Sequence, residues 1–457
     1  MSKIKITFAG GAQSPTGSNF LLEIGDSNFL VDCGLYQGSK VANDNNRDPF
    51  NYDVKSVRAM FITHSHLDHV GRIPKIMKDG YQGEIYSVDA TRELAEYVMM
   101  DSLHVLTREA QNSGLPPMYD EADVIAALKV WHSKNYHEKI TFETSVGTLG
   151  VRFLDAGHIL GSAMIEFTLN GKVLIFSGDL GNTPSPLMKD TESIKGADYL
   201  VVESVYGDRN HEDNSEKKQK LEDIIKTTIR NRGVLIIPAF SIERTQEIIY
   251  FINQMIEHNE IERIPVFLDS PLAINVTSVY KKYEHYLNKE VDSIIKSGDD
   301  IFNFPGLHMT ADKEESKSIN GVPGPKVIIA GSGMMNGGRI LYHAKNYLGD
   351  EKNTLLVVGY QAVGTLGRIL LEGAKSVYIK GEEIKVKADV QVIHGMSAHK
   401  DSTHLQEFVA EAKDTLKQVF VVLGEPKSCA FLAQRLNDYY GINTVIPETN
   451  QSFEIEM

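Results

Sequence analysis

The sequence predicts an α/β protein of more than one domain, and three observations carry that reading. Short apolar runs rich in β-branched and aromatic residues alternate with helical patterns along the whole chain, the pattern of sheets covered by helices. Polar residues stand where consecutive strand patterns end. Phe29-Leu-Val runs into Asp32, Ala59-Met-Phe-Ile into Thr63-His64, Val151 to Leu154 leads to His158, Lys172 to Phe176 to Asp179, and Tyr199 to Val202 ends in Glu203. Side chains leaving neighbouring strand ends meet at one rim of a sheet, where open α/β folds bind ligands. Third, 457 residues exceed what one core organises, and after a charged stretch from Asp208 to Lys220 a second α/β series opens with Gly233-Val-Leu-Ile-Ile-Pro-Ala-Phe and a helical Arg244 to Met255.

The remaining elements follow in order. Asn288 to Gly324 is polar and carries Gly321-Val-Pro-Gly-Pro, which reads as a helix followed by a surface loop. Strands return at Lys326 to Ala330 and Thr354 to Val358, and the strand patterns Val390 to Ile393 and Gln418 to Leu423 end in polar motifs, as in a chain re-entering its first domain. The longest apolar runs, such as Val234 to Ile237, stop far short of a bilayer span, and Met1-Ser2-Lys3-Ile4 leads directly into strand pattern; no membrane association and a cytoplasmic location are expected. Two cysteines, Cys33 and Cys429, are too few for a disulfide framework. A net charge of −14 argues against a broad basic surface for nucleic acid, but not against a narrow cleft whose field is reversed by bound metal ions and a few arginines.

The strongest local signal is His64-Ser65-His66-Leu67-Asp68-His69, four candidate ligands within a short turn. His64 and His66 at i and i+2 can grip one ion, while Asp68 and His69 on the following turn can point to a second. A two-metal centre needs a carboxylate spanning the pair, and Asp179 in Ser177-Gly178-Asp179-Leu180-Gly181 is the candidate. His158, in Ala156-Gly157-His158, would complete the first ion's set. Any one of these histidines alone reads more readily as a surface or satisfied core residue; the cluster together with a strand-end His and a strand-end Asp points to metal. Asp32 either orients a ligand histidine from behind or caps its own turn. His104, His132, His137, His258, His285 and His308 have no ligand spacing and read as solvated or structural, and Trp131 reads as a packing residue.

The ordered set of these motifs resembles the metallo-β-lactamase superfamily, whose shared signature is His-x-His-x-Asp-His. Glu203-Ser-Val-Tyr-Gly-Asp-Arg, Pro238-Ala-Phe-Ser-Ile-Glu-Arg-Thr-Gln, Asp269-Ser-Pro-Leu-Ala, Gly331-Ser-Gly-Met-Met-Asn-Gly-Gly-Arg, Gly359-Tyr-Gln-Ala-Val-Gly-Thr-Leu-Gly-Arg and Ser397-Ala-His-Lys-Asp resemble its β-CASP branch, in particular the CPSF-like (cleavage and polyadenylation specificity factor-like) ribonucleases. The resemblance covers essentially the whole chain. It implies a metallo-β-lactamase αββα sandwich with an inserted α/β β-CASP domain: residues 1–205 and 385–457 form the sandwich, and 206–384 the insertion. It further implies hydrolysis of RNA phosphodiester bonds in processing or decay, by a metal-activated water on one or two Zn2+ ions, with Mn2+ as the alternative metal. Asp68 and Asp179 would serve catalysis at the metals, and His399, partnered by Glu203, would protonate the leaving oxygen. Single-stranded RNA is the expected partner, DNA the alternative, and a homodimer is compatible with the family.

Two glycine-rich turns extend the expected site. Ser332 and Gly333 with Arg339, and Thr365 with Arg368, offer backbone N–H groups and guanidinium positions suited to phosphate, although such turns by themselves signal only tight reversal. Ser397 and Arg244 join them on the family motifs, with His343 a weaker candidate. The sequence departs from the RNA-cleaving pattern at Leu423-Gly424-Glu425-Pro426, where the resembling enzymes carry a histidine ligand of the second ion in place of Leu423. Leucine cannot coordinate, which leaves Asp68, His69 and bridging Asp179, with His394 the nearest substitute. DNA-processing β-CASP nucleases also have an apolar residue there, so the departure favours them or a weakly active or inactive RNA-binding homologue as alternatives. A small-molecule hydrolase on the same fold, such as a lactamase or thioesterase, would have no need of the second domain.

Overall fold

The computed structural model describes residues 2–38, 45–211, 215–359, 361–362, 364–393 and 395–457. They divide into two compact units, Met1–Asn210 with His399–Met457, and His211–Ala398.

In the first unit the described residues form two seven-stranded sheets. One runs in the order Ser452–Glu456, Lys3–Gly10, Asn19–Ile24, Ser27–Val31, Val57–Phe61, Glu84–Val88, Trp131–Lys134. The other runs Thr444–Val445, Gln418–Val422, Tyr199–Glu203, Lys172–Phe176, Ala163–Leu169, Gly147–Asp155, Ile140–Thr144. Local chemistry sets the register: Asn170 and Gly171, both with positive φ, make the two-residue hairpin between Ala163–Leu169 and Lys172–Phe176. The sheets meet through phenylalanines. Phe8 packs on Phe420, Phe20 on Phe176, Phe61 on Phe167 and Phe29 on Phe142, with ring centroids 5.2–5.6 Å apart.

Alternate residues of the second sheet, Met164, Ile175, Leu200, Val202, Val419 and Val421, pack instead with Leu405, Phe408 and Val409 of the helix Ser402–Ala410 and with Leu432 and Leu436 of Pro426–Tyr440. The first sheet receives the helix Asp89–Ser113 through its buried Leu94, Ala95, Val98 and Met99. With both faces of each sheet covered, the strands read as nearly unbroken apolar runs, and every fully buried phenylalanine contributes about 1.5–3 kcal/mol of transfer free energy. The chain is an α/β fold with a helix–sheet–sheet–helix sandwich.

The second unit carries a parallel sheet in the order Leu307–Met309, Val266–Leu268, Lys326–Ala330, Val234–Pro238, Thr354–Val357, Asp389–Val392, plus the hairpin Ser376–Ile379 with Glu382–Lys385. Asp389–Val392 pairs along its length with Thr354–Val357 and lies in the compact unit that ends at Ala398. Its alternation of exposed and half-buried residues is that of an edge strand. Within the stretch read as helix and loop, the helices Lys289–Lys296 and Lys313–Ser318 flank a short strand, Leu307–Met309, too brief to leave a periodic signal. Among the described residues no helix is long and apolar enough to cross a membrane.

Candidate metal centre

The strand ends of the first unit bring the predicted ligands together. His64 follows Val57–Phe61, His158 follows Gly147–Asp155, and Asp179 follows Lys172–Phe176. One ligand atom from each of His64, His66, His158 and Asp179 lies within 4.8 Å of all the others. His66 Nδ1 stands 3.1 Å from His64 Nε2 and 3.3 Å from His158 Nε2, and Asp179 Oδ2 stands 3.4 and 3.6 Å from those same two nitrogens. Donors held about 2.0–2.1 Å from a tetrahedral ion sit about 3.3–3.4 Å from one another, so these separations suit the edges of one coordination polyhedron. His64 and His158 are buried, and burial, followed by the charges of neighbouring imidazoles, pushes the pKa values of His64, His66 and His158 down, towards the neutral form a metal needs.

On the other side of Asp179, His69 Nε2 lies 3.4 Å from Oδ1 and 4.0 Å from Asp68 Oδ2. That nitrogen is buried and has no hydrogen-bond partner among the described residues, an arrangement that costs free energy unless a further ligand meets it. The ring's other nitrogen, Nδ1, is 2.7 Å from Asp32 Oδ2. Asp32 is fully buried and also accepts from Thr63 N, Thr63 Oγ1 and Ser18 Oγ. Burial is the largest influence on His69 and lowers its pKa, but Asp179 and Asp32 together outweigh it and hold the value well above the ordinary one. Burial alone would raise the pKa of Asp179, but His69, His399 and His64 hold it well below the ordinary carboxylate range. The donor set His64, His66, His158 and Asp179 thus fits one divalent cation closely.

Leu423 follows Gln418–Val422, is buried, and adopts φ 49°. It donates its N–H to Gly11 O, and its side chain presses on Gly11, next to Ser18, whose N–H donates to Asp68 O. His394 lies outside the described residues. Thr63 and two glycines escaped notice in the sequence. Thr63 Oγ1 lies 3.1 and 3.2 Å from the Nδ1 atoms of His64 and His69, and its place directly before His64 was the available signal. A Cβ at Gly178, where φ is 54°, would meet the Thr63 side chain at 2.7 Å, and one at Gly181 would meet Gly157 O at 1.8 Å, so the loops bearing Asp179 and His158 approach only through glycine.

Glu203, fully buried at the end of its strand, accepts from Leu180 N at 2.6 Å and lies 3.1–3.2 Å from His399 Nδ1. His399 bridges in antiparallel fashion to Gly181, and Lys400 donates its N–H to Leu180 O and its Nζ to Gly181 O, so the segment is laced to the loop that carries Asp179. His399 Nδ1 is 3.9 Å from Asp179 Oδ2, and its side chain keeps 20% exposure. Burial works against the charged imidazole, but Glu203 and then Asp179 override it and raise its pKa to about 9. Burial raises the pKa of Glu203, opposed by the same imidazolium.

The candidates in the second unit are placed differently. Arg339 donates to Asp269 Oδ1 and to the carbonyls of Thr310 and Ala311. Asp269 is fully buried and also accepts from Thr310 Oγ1 and Ser316 Oγ, with His343 Nε2 at 2.6 Å; burial alone would raise its pKa, but these donors hold it at about 2. Arg244 is buried and ion-paired to Glu247. Ser332 Oγ accepts from Asn336 N and Gly337 N and closes its own loop, while Thr365 caps the helix Leu366–Leu371. Gly333 packs against the Phe240 ring. Arg368 is half exposed beside Glu372, and Ser397 is partly exposed. Trp131 is buried, its indole N–H donating to Ser87 Oγ.

Comparison with known proteins agrees with this architecture. Residues 16–229 match the metallo-beta-lactamase superfamily, 245–370 the Beta-Casp domain, and 383–447 the Zn-dependent metallo-hydrolase RNA specificity domain. The chain is 37% identical to Ribonuclease TTHA0252 of Thermus thermophilus, over 89% of this chain and 90% of that protein. It is 31% identical to the transcription termination factor FttA of Methanosarcina mazei, over 96% of this chain and 70% of that one, and 30% identical to FttA of Pyrococcus horikoshii, over 97% and 70%. A solved structure of a protein of unknown function from Enterococcus faecalis V583 shares the fold, with a TM-score of 0.55 at 12% identity, covering 99% of this chain and all of that one. The superfamily binds divalent metal, and the clustered histidines and Asp179 are groups able to hold it. The chain belongs to the metallo-β-lactamase superfamily, in its β-CASP branch.

Proposed function

We propose that this protein is a zinc-dependent nuclease that hydrolyses the phosphodiester bonds of single-stranded RNA, in RNA processing or decay. The observation that carries the reading is the gathering of His64, His66 and His158 on Asp179, with His69 on its other oxygen and the Glu203–His399 couple beside the same carboxylate. The naming of the relatives as a ribonuclease and as transcription termination factors supports it. His64, His66, His158 and Asp179 would hold one cation, and Asp68, His69 and Asp179 a second. A divalent cation there supplies Lewis acidity, lowering the pKa of bound water and neutralising phosphate charge.

The chain's own groups do the rest. Asp32 holds His69 Nδ1 and so turns Nε2 towards Asp179. Glu203 lies against His399 Nδ1 and keeps the ring charged, leaving the opposite nitrogen, Nε2, to give a proton to the leaving oxygen. Zinc suits the imidazole-rich first set, and manganese is the alternative for the carboxylate-rich second.

The purified chain, stripped with chelator and then given Zn2+ or Mn2+, should cleave labelled single-stranded RNA only after metal is restored. Cleavage of DNA in preference to RNA would instead support the second reading that Leu423 favours, and cleavage of neither would reject both.

A further inference from the structure

Phe240 is exposed where its neighbours are not. Pro238, Ala239 and Ile242 are buried, yet Phe240 keeps 41% of its surface open, the largest exposure of any phenylalanine among the described residues. An apolar ring left in water costs free energy, so its position calls for a reason.

The sheet of the second unit supplies one. Phe240 lies just past the carboxyl end of Val234–Pro238, Gly333 just past Lys326–Ala330, and Gly359 just past Thr354–Val357, three adjacent parallel strands. From Val234–Pro238 the chain crosses to Val266–Leu268 on one side, and from Lys326–Ala330 it crosses to Thr354–Val357 on the other. Ligands of open α/β sheets bind outside the carboxyl ends of strands where the crossing direction reverses, and Phe240 stands there.

The ring also lies against main chain. A Cβ at Gly333 would meet Phe240 ring atoms at 2.8–2.9 Å, and one at Gly359 would come to 3.5 Å. Neither glycine has a left-handed backbone, so what Gly333 provides is room for the ring against the main chain. Gln361, itself buried, donates Nε2 to Gly333 O at 2.9 Å and to Gly359 O at 3.4 Å, tying together the two turns that support the ring. Thr245 donates both its N–H and its Oγ1 to Phe240 O, fixing the backbone beneath. A rigid aromatic ring backed by peptide and open to solvent is what an unpaired nucleobase stacks on, whatever its sequence.

We infer that Phe240, braced by Gly333, Gly359 and Gln361, is a stacking platform for one unpaired base of the RNA substrate. The inference rests on the nuclease reading above and adds a binding residue to it.

The test measures KM and kcat of the metal-loaded full chain on a short single-stranded RNA, and on the same RNA carrying one abasic nucleotide walked along its length. Phe240→Leu should raise KM about 5- to 100-fold, and the abasic nucleotide at one position should raise the wild-type KM by a similar factor while adding nothing further in Phe240→Leu. Phe240→Trp should retain the wild-type KM, and its exposed indole should be quenched by RNA, since the natural tryptophan, Trp131, is buried. An unchanged KM in Phe240→Leu, fully additive abasic penalties, or an unquenched Phe240→Trp would each overturn the platform while leaving the nuclease intact. If Phe240→Leu proved unfolded by its melting curve, the Phe240→Trp quench and the wild-type abasic scan would still decide. Failure of the wild-type chain to cleave RNA would instead remove the reading beneath it.

Discussion

Replacing Asp32 with Asn tests how the second half of the metal centre is aimed. Asp32 Oδ1 accepts from Thr63 N at 2.8 Å, so an asparagine must keep its carbonyl there and place its NH2 where Oδ2 was. That NH2 then faces Ser18 Oγ and His69 Nδ1, formerly 2.9 and 2.7 Å from an acceptor. The serine hydroxyl can rotate to accept, but the imidazole cannot. Either His69 keeps its Nδ1–H and a buried N–H faces another donor, at about 1–3 kcal/mol, or the proton moves to Nε2 and blocks the atom that faces Asp179 and Asp68. Loss of such an orienting partner weakens metal binding about 10- to 100-fold, or about 1.4–2.7 kcal/mol. Calorimetric titration of chelator-stripped protein with Zn2+ should therefore show one step weakened by that factor in Asp32→Asn, with the other step changed less. Two steps at wild-type affinity would refute the argument that Asp32 sets the tautomer of His69.

Three further outcomes follow from the same geometry. His66→Ala removes the Nδ1 that stands 3.1–3.3 Å from two other ligands; metal binding and RNA cleavage should vanish while the stripped protein still folds, and full activity would contradict the ligand set. Leu423→His should tighten binding of a second ion, because it adds a ligand type at a left-handed backbone position that histidine tolerates better than leucine; a metal titration identical to wild type would overturn this. Asp269→Asn should destabilise the second unit by about 3–5 kcal/mol at neutral pH, leaving Arg339 and His343 facing a neutral amide, as read by urea unfolding. Because the folded pKa of Asp269, about 2, lies below its ordinary 3.8, its contribution is present above about pH 4 and is lost as pH falls towards 2; the variant should show a flatter stability profile across that window.

Half of the metal ligands were legible because they follow strand ends, which must converge in one layer, and His66, Asp68 and His69 because they crowd the turn that begins at His64. His64, His158 and Asp179 needed only the apolar runs before them, and Glu203 closes its strand in both readings. Direction of a side chain was not legible. Arg339 sits in a glycine-rich turn that suits phosphate, but its partners Asp269 and Ala311 lie 70 and 28 residues away in sequence, a separation no local pattern reports. Arg244 opens a helix, and the glutamate three residues on that claims it gave no sign of being buried. The strand Asp389–Val392 ends in a polar motif like the strands of the first unit, and its partner Thr354–Val357 is visible only in the hydrogen bonds.

The inward turn of those arginines bears on how a chain of net charge −14 could accept a polyanion. A protein so acidic repels RNA at long range, and a row of surface guanidinium groups would be the usual remedy. Here Arg339 and Arg244 face carboxylates of their own unit, and Arg368 lies beside Glu372. At the strand-end centre His399 is held charged and the His/Asp groups can take up cations, and Phe240 offers a contact that needs no charge. Each phosphate neutralised on a single strand contributes about −0.7 to the slope of log affinity against log salt. RNA binding by this protein should then respond weakly to salt, with a slope near that of one or two phosphates. A steep slope in a salt series of KM would mean that a cluster of basic side chains other than these arginines grips the backbone.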